Sequence, residues 1–551
     1  MSRRNILLVP SATLVPEEMR LELGPIPMCM IPLEGRPALD HISEKYGDLE
    51  TENYVATMQR HEELENYLST SGQHWSESQV NSSSLADTVL QSLEDIGNLK
   101  DSYLYINFAD TLIEPLKESK DDLVYLDEVE YTSRWTSFTE RDGKIDSITE
   151  KFSEFSSGPK KVFTGVFGIS DPEKFREKLS EALESESDLD PFFQALKEYL
   201  NGGDYKLVRV ESWTDVGHID TYNQAKKDFL NTREFNRLKV DKKKNTITKK
   251  SPDVEKLRPE IEWYDKIPAD LKPYTPRIYK SSITEEGAEV EMDYTGYPSL
   301  GELLLYGSHG IHIWRTIYSN LFEMIQEFQS YSKGISKEVM RGNLTEMYLE
   351  KTERRLNRVK DSNEFSVYFE NEEVEINGQK LKSAGYILDN LENILDESGL
   401  YDTEKFTIIH GDPTFSNVLY EAGSGVINLI DPRGDFGEFQ IYGDTYYDLA
   451  KMRHSVSGKY DFIINDMFDV DIDGRSIQYQ VFTDEKHEDR EELFNRMLSR
   501  EYGKDIDRIK GIEALLFLSM VPLHSDHPER QHYMISKGIE LANDNLIGGT
   551  Q

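Results

Sequence analysis

Residues 406 to 431 read FTIIHGDPTFSNVLYEAGSGVINLID: an apolar strand, a polar loop, a strand, a Gly/Ser turn and a second apolar strand. The turn Ala422-Gly423-Ser424-Gly425 folds Val418-Leu419-Tyr420 against Val426 to Ile430 as a hairpin, so Asn417 and Asp431 arrive nearly opposite each other at its open end. Asp412, on the loop just before the first hairpin strand, falls close to the same point. Two carboxylates and a carboxamide oxygen suit Mg²⁺, with phosphate oxygens completing its shell. Phosphoryl transfer asks for little more than such a metal and a carboxylate that orients the attacking hydroxyl and accepts its proton. Asp412 is placed for the second role, Asn417 and Asp431 for the first.

The elements that must carry these groups follow from the hydrophobic pattern. Asn5 to Val9 and Leu104 to Phe108 are short apolar runs ending in polar loops, read as two buried parallel strands. Helical patterns at Ser84 to Leu99 and Asp171 to Leu183 make the order strand, helix, strand, helix, which is that of an α/β domain. A polar helix at Thr221 to Leu230 precedes the basic turn Asp241 to Asn245, and the domain boundary is expected near residue 231. Strand-like pieces, a helix at Val254 to Lys266 and a strand near Glu289 to Tyr294 follow, after which helical segments dominate. The expected organisation is residues 1–230 as one domain, 231–298 as a small strand-rich lobe and 299–551 as a large helical lobe.

His410-Gly411-Asp412-Pro413-Thr414-Phe415-Ser416-Asn417 resembles the H-G-D-x-x-x-x-N catalytic loop of the aminoglycoside phosphotransferase and choline kinase family, with Asp431 in the place of its metal-binding aspartate. The resemblance spans about residues 231 to 551 and implies an α+β two-lobed protein-kinase-like domain, with ATP and Mg²⁺ as cofactors. His410 reads as a buried histidine bracing the loop. Gly443 to Lys451 resembles the family's next helix, in which Asp448 either braces the catalytic loop or caps the helix. Thr246 to Ser251 resembles the third small-lobe strand, so Lys249 paired with Glu260 would meet the ATP phosphates, Lys250 and Glu262 being adjacent alternatives. Glu291-Met292-Asp293-Tyr294 resembles the hinge, where the backbone of Met292 and Tyr294 would meet adenine. His524 and Asp526 fall where this family binds its acceptor. A metal at His524, His527 and His532 is disfavoured, because Pro528 interrupts their helical spacing.

Residues before 231 resemble Rossmann-like sugar nucleotidyltransferases: Ile31 to Pro37 matches their P-x-x-G-K-P stretch, Asn107 to Asp110 the metal aspartate at a strand end, and Ile148 to Lys151 the sugar-phosphate clamp. Thr164 to Phe167 and Trp213 to Gly217 follow in the family's order. The resemblance implies an α/β Rossmann-like nucleotidyltransferase domain, Asp110 and Asp215 sharing a metal at the sheet's carboxyl edge and Glu150 and Lys151 holding a sugar phosphate. One departure is large. The family cradles a triphosphate on a Gly-rich loop after its first strand, but this chain has Val9-Pro10-Ser11-Ala12-Thr13-Leu14-Val15-Pro16 and no glycine before Gly24. The domain therefore reads either as a nucleotidyltransferase or as a retained scaffold that binds a ligand without catalysis.

Composition limits the partners. Of 551 residues, 63 are Lys or Arg and 102 Asp or Glu, a formal charge of −39 that repels nucleic acid and anionic membranes. A single Cys29 excludes an internal disulfide and fits a reducing compartment, so the expected location is the cytoplasm. No signal-like or membrane-spanning apolar run is present. Together these readings imply an ATP- and Mg²⁺-dependent transferase: a kinase for a sugar, polyol or amino alcohol, fused to a nucleotidyltransferase-like domain. Surface polysaccharide precursor synthesis is the expected setting. The alternative is a non-catalytic ligand-binding scaffold. Acceptor, nucleotide preference and oligomeric state are not legible in the residues.

Overall fold

The structure is a computed structural model, and it describes residues 3–58, 61–70, 75–131, 134–150, 157–201, 203–232 and 238–547. The chain divides into two compact units, the first made of Met1–Leu68 and Gly72–Phe229 and the second of Ser69–Ser71 and Leu230–Gln551.

The first unit is α/β. Among the described residues it holds a nine-stranded mixed sheet. Arg4–Pro10 lies between Thr51–Thr57 and Ser102–Asn107, parallel to both, and Trp75–Gln79 extends the parallel part. Ser157–Ile169 then runs antiparallel to Ser102–Asn107 and turns the sheet mixed. Ile6, Leu8, Leu104 and Ile106 are fully buried in one core with Val89, Leu93 and Phe192 from the covering helices. Those helices start where polar caps meet the apolar pattern. Ser84 accepts from the Asp87 N–H, and Asp171 accepts from the Lys174 N–H with Pro172 in the first turn.

The second unit is α+β. It begins with a four-stranded antiparallel sheet in which Thr246–Ser251 pairs with Leu238–Asp241 on one side and Gly287–Asp293 on the other. Helix Val254–Lys266 follows Thr246–Ser251 and buries Leu257, Ile261 and Trp263. The rest is mostly helical. Its helix Ile506–Met520 is buried over most of its length, including two charged residues that are paired inside, Arg508 with Asp444 and Glu513 with Arg453.

Two hairpins depart from the helical pattern expected for the large lobe: Glu373–Ile376 with Gln379–Lys382, and Phe468–Asp473 with Ser476–Val481, which join as one four-stranded sheet. Their turns explain them. Asn377 and Gly378 both have positive φ (48° and 77°), the conformation that joins two strands through a two-residue loop, and Gly474 has φ 61°.

One close approach ties the small sheet's helix to the large lobe's loop. Gly434 has φ +74°, and a Cβ there would overlap the carbonyl of Pro259, next to Glu260. Gly434→Ala is therefore expected to lower unfolding free energy by about 2–4 kcal/mol, combining backbone strain with overpacking. Gly474→Ala, also at positive φ but with open space around it, should lose only about 1 kcal/mol. Chemical denaturation of the two variants checks the difference.

Candidate active site

The segment 406–431 takes the arrangement its pattern suggests. Strand Phe406–Ile408 delivers the loop, a short 3₁₀ turn Phe415–Asn417 closes it, and Val418–Glu421 pairs with Val426–Leu429. Glu421 stabilises the hairpin turn by accepting from the N–H groups of Gly423 (3.0 Å) and Ser424 (2.7 Å). The Ile430 N–H donates to the Asn417 carbonyl at 3.0 Å, which sets Asp431 beside Asn417. Asn417 Nδ2 in turn donates to the Asp412 carbonyl at 2.9 Å.

The loop is fixed from below by Asp448. Its two carboxylate oxygens accept from the successive N–H groups of His410 (2.7 Å) and Gly411 (2.8 Å). The helix cap is a different residue: Asp444 accepts from the Tyr446 N–H at 3.2 Å, so of the two readings of Asp448 the brace describes its contacts. Gly411 has φ +82°, and a Cβ there would come within 2.9 Å of the Arg433 side chain. His410 is buried edge-on to Trp263, and burial pulls its imidazole down to about 4, so the ring is neutral.

Asp412 faces a cation that its neighbours in sequence do not suggest. Lys451, buried on the helix Thr445–Val456, places Nζ 2.9 Å from Asp412 Oδ1. Burial pushes the Asp412 carboxyl up, but the Lys451 charge outweighs it and the group stays below its usual value, hence ionised. The two lie in the wall of a cavity of about 390 Å³, which Arg355, Arg433, Tyr447 and His524 also line. Tyr447 OH stands 3.1 Å from Arg433 Nη1 and 3.3 Å from Lys351 Nζ. Burial would raise this phenol, yet Lys351, Arg433 and Lys451 pull it down to about 7.

Beside this cavity runs a second chain of charges. Lys249 Nζ is 2.7 Å from Glu260 and 2.9 Å from Asp431. Lys250 pairs instead with Glu289, and Glu262 with Lys266. Burial pushes the Glu260 carboxyl up to about 7 against the pull of Lys249. Trp263, on the same helix, donates Nε1 to the Ile409 carbonyl at 2.7 Å and so attaches the helix to the loop that carries Asp412.

Other expected site residues are placed differently. Tyr294 does not offer its main chain to a base: its N–H donates to the Asn245 carbonyl (2.9 Å) and its carbonyl accepts from Asn245 Nδ2 (3.2 Å), because Asn245 closes the neighbouring hairpin turn. Met292 is buried in the sheet. Asp526 is not among the cavity's lining residues, while His524 is. His527 turns to Asp466 and His532 to Tyr368, and no cluster of three or more His, Cys, Asp or Glu that could hold a metal occurs among the described residues.

In the first unit Asp110 packs against Gly217, and Asp215 accepts from Trp135 Nε1 (2.6 Å), the Gly217 N–H (2.8 Å) and Thr221 Oγ1 (3.2 Å). Glu150 accepts from the N–H of Asp190, the cap of the next helix, and Lys151 lies outside the described residues. The segment after the first strand is turned inward: Ser11, Ala12 and Val15 are buried. Its main chain pairs with Ile26 to Met28, through Val15 N–H to Ile26 O (2.9 Å) and Met28 N–H to Thr13 O (3.3 Å). Cys29 is buried there, and its thiol is pushed up to about 12 by burial, hence unreactive.

Lys451, Arg433, Tyr447 and Arg355 carry no role in the sequence reading. Only Lys451 left a signal: it is three residues after Asp448 and therefore on the same helix face.

No family model matches the chain, and no curated protein matches it. Among solved structures the chain is similar to the CTP:phosphocholine cytidylyltransferase of Streptococcus pneumoniae, at 14% identity over 41% of this chain and 99% of that one, TM-score 0.33. The inositol-1-phosphate CTP transferase of T. maritima is 14% identical over 40% of this chain and 92% of that one, TM-score 0.32. An aminoglycoside-3'-phosphotransferase of type VIII is 14% identical over 53% of this chain and 84% of that one, TM-score 0.29.

Asp448 also makes stability depend on pH. Burial raises its carboxyl to about 7 although two N–H groups pull it down. The folded chain therefore holds this proton longer than the unfolded chain, whose Asp titrates near about 4. The sign follows: this contribution is full below that value and is lost as pH rises towards about 7. Asp448→Asn should flatten that fall and, by turning an amide N–H₂ towards a backbone N–H, lower stability by about 1–3 kcal/mol. Urea unfolding at pH 5 and pH 8 reads both effects.

Proposed function

We propose that the chain is an ATP- and Mg²⁺-dependent kinase that phosphorylates a hydroxyl of a small molecule, and that residues 231–298 and 299–551 are its two lobes. The observation that carries the reading is Asp412, a carboxylate kept ionised by the buried Lys451 in the wall of a half-open cavity, with Asn417 and Asp431 on the adjoining backbone. Asp412 would take the hydroxyl proton as the acceptor oxygen bonds to the γ-phosphorus. The bond from that phosphorus to the bridging oxygen breaks, and ADP leaves. Lys249, aimed by Glu260, would compensate phosphate charge. The Asn417 and Asp431 oxygens fit Mg²⁺. Both are hard donors, Asn417 Oδ1 accepts no hydrogen bond among the described residues, and the Asp431 side chain is 54% exposed. When bound, the metal neutralises charge on the transferring phosphates. His524, which burial keeps neutral, is the acceptor contact on this reading.

For residues 1–230 the contacts favour the ligand-binding frame over nucleotidyl transfer. In the segment after the first strand the Val15 N–H is spent on Ile26 and the Ser11 N–H on Ala56, and the Asp215 carboxylate is held by Trp135 Nε1 and the Gly217 N–H.

Two variants separate the roles. Asp412→Asn should lower kcat about 100- to 10,000-fold through loss of the general base while leaving ATP affinity nearly unchanged. Asp431→Ala should weaken ATP binding by about tenfold or more, and only when Mg²⁺ is present. Residual turnover near the parent rate in the first, or unchanged Mg·ATP affinity in the second, would overturn the assignments.

The same full-length Asp412→Asn protein tests the other unit. Incubated with each NTP, Mg²⁺ and sugar 1-phosphates, it is expected to release no pyrophosphate. Release that disappears in a further Asp110→Ala change would establish nucleotidyl transfer instead.

A further inference from the structure

The cavity over Asp412 carries the opposite charge from the protein that surrounds it. In a chain of formal charge −39, its lining holds Arg355, Arg433 and Lys451 against the single carboxylate of Asp412. Two of these cations are already engaged: Lys451 by Asp412 at 2.9 Å, and Arg433 by Asp435 at 3.0 Å and by the Tyr447 hydroxyl.

Arg355 is not balanced in this way. It projects from the short helix Lys351–Leu356 and donates Nη1 to the Ser519 main-chain carbonyl at 3.1 Å, and it has no carboxylate within ion-pair distance among the described residues. One neutral acceptor uses one of five guanidinium N–H donors and leaves the positive charge uncompensated. Its companions on the wall, Leu516, Met520 and Leu523, are apolar, and the Tyr447 phenol, the other acid on the wall, is already shared between Arg433 and Lys351. A half-buried guanidinium beside apolar groups is costly unless something anionic completes it. In this cavity a ligand's anionic group is free to supply that partner.

We propose that Arg355 is a specificity-determining residue for an anionic alcohol, a compact hydroxy acid or phosphorylated polyol whose anionic group seats on the guanidinium while its hydroxyl faces Asp412. The inference rests on the kinase reading for the fate of the hydroxyl, and on Arg355 alone for the sign of the ligand's charge. The planar fork of arginine matches carboxylate and phosphate oxygens in pairs, which a lysine cannot reproduce. The same charge turns away an amino alcohol, whose ammonium would face a like charge while the one carboxylate of the wall, Asp412, is already paired with Lys451.

The test uses the full chain and four matched ligands: gluconate, glucitol 6-phosphate, glucitol and 1-amino-1-deoxyglucitol. Calorimetric titration should show at least one anionic member binding about tenfold or more tightly than glucitol, with the amine weakest. Comparing gluconate with glucitol 6-phosphate tells carboxylate from phosphate. Arg355→Gln should erase the anion preference, and Arg355→Lys should keep part of it. Glucitol or the amine binding as well as both anions would overturn the proposal, as would a preference that survives Arg355→Gln or a variant that raises KM for ATP and not for the acceptor. ADP formation is followed in parallel. An anion preference lost in Arg355→Gln without any ADP formed would support this inference and sink the kinase reading, whereas ADP formed best with the amine would do the reverse.

Discussion

The second unit depends on one buried carboxylate reading two consecutive main-chain N–H groups. Asp448 holds the amides of His410 and Gly411 at 2.7 and 2.8 Å, and each such hydrogen bond is worth about 0.5–1.5 kcal/mol net. That clamp decides the direction in which the chain leaves Gly411, and with it where Asp412 points. The positive φ of Gly411 follows from the same constraint, since any side chain there would meet Arg433. One helix turn further on, Lys451 reaches the carboxylate that Asp448 has positioned. A single helix thus both holds the loop and sets the charge of Asp412.

Charge in this unit is arranged by layers. The exposed surface is acidic, and the positive groups that matter are inside. Lys351, Arg433 and Lys451 surround the Tyr447 hydroxyl closely enough to overcome its burial. Lys451, with a smaller pull from Arg433, keeps Asp412 ionised at a depth where burial alone would favour its neutral form. Lys249 does the corresponding work between Glu260 and Asp431. The cavity and the Glu260–Asp431 edge are therefore served by separate cations, and neither set has to be borrowed by the other.

The first unit illustrates the reverse case, a frame whose grip is taken up elsewhere. Close approach of an anion to main-chain amides needs those amides free and the backbone bare of side chains. Here Ser11 and Val15 are buried, and Val15 donates its N–H to Ile26. Glu150 likewise serves the N–H of a helix cap. Among the described residues the Ser11 and Val15 amides and the Glu150 carboxylate thus have protein partners.

Much of this was legible in the residues because it is local. The strand, loop and hairpin at 406–431 follow from alternating apolar runs and a Gly/Ser turn, and the backbone then sets Asn417, Asp431 and Asp412 near one another within twenty residues of chain. Helix Val254–Lys266 and the inward strands Arg4–Pro10 and Ser102–Asn107 likewise follow from period and capping. The hairpins at Glu373–Lys382 and Phe468–Val481 were signalled by their Asn-Gly and Asp-Gly turns, a local cue outweighed by the helical pattern around them. What tertiary structure alone decided is which distant charges meet. Lys249 touching Asp431 across 182 positions, Arg355 meeting the Ser519 carbonyl across 164, and the inward turn of the segment after the first strand depend on how elements pack. A sequence states each residue's charge and its neighbours along the chain. The partner that cancels a charge, or leaves it for a ligand to cancel, is chosen by packing in three dimensions.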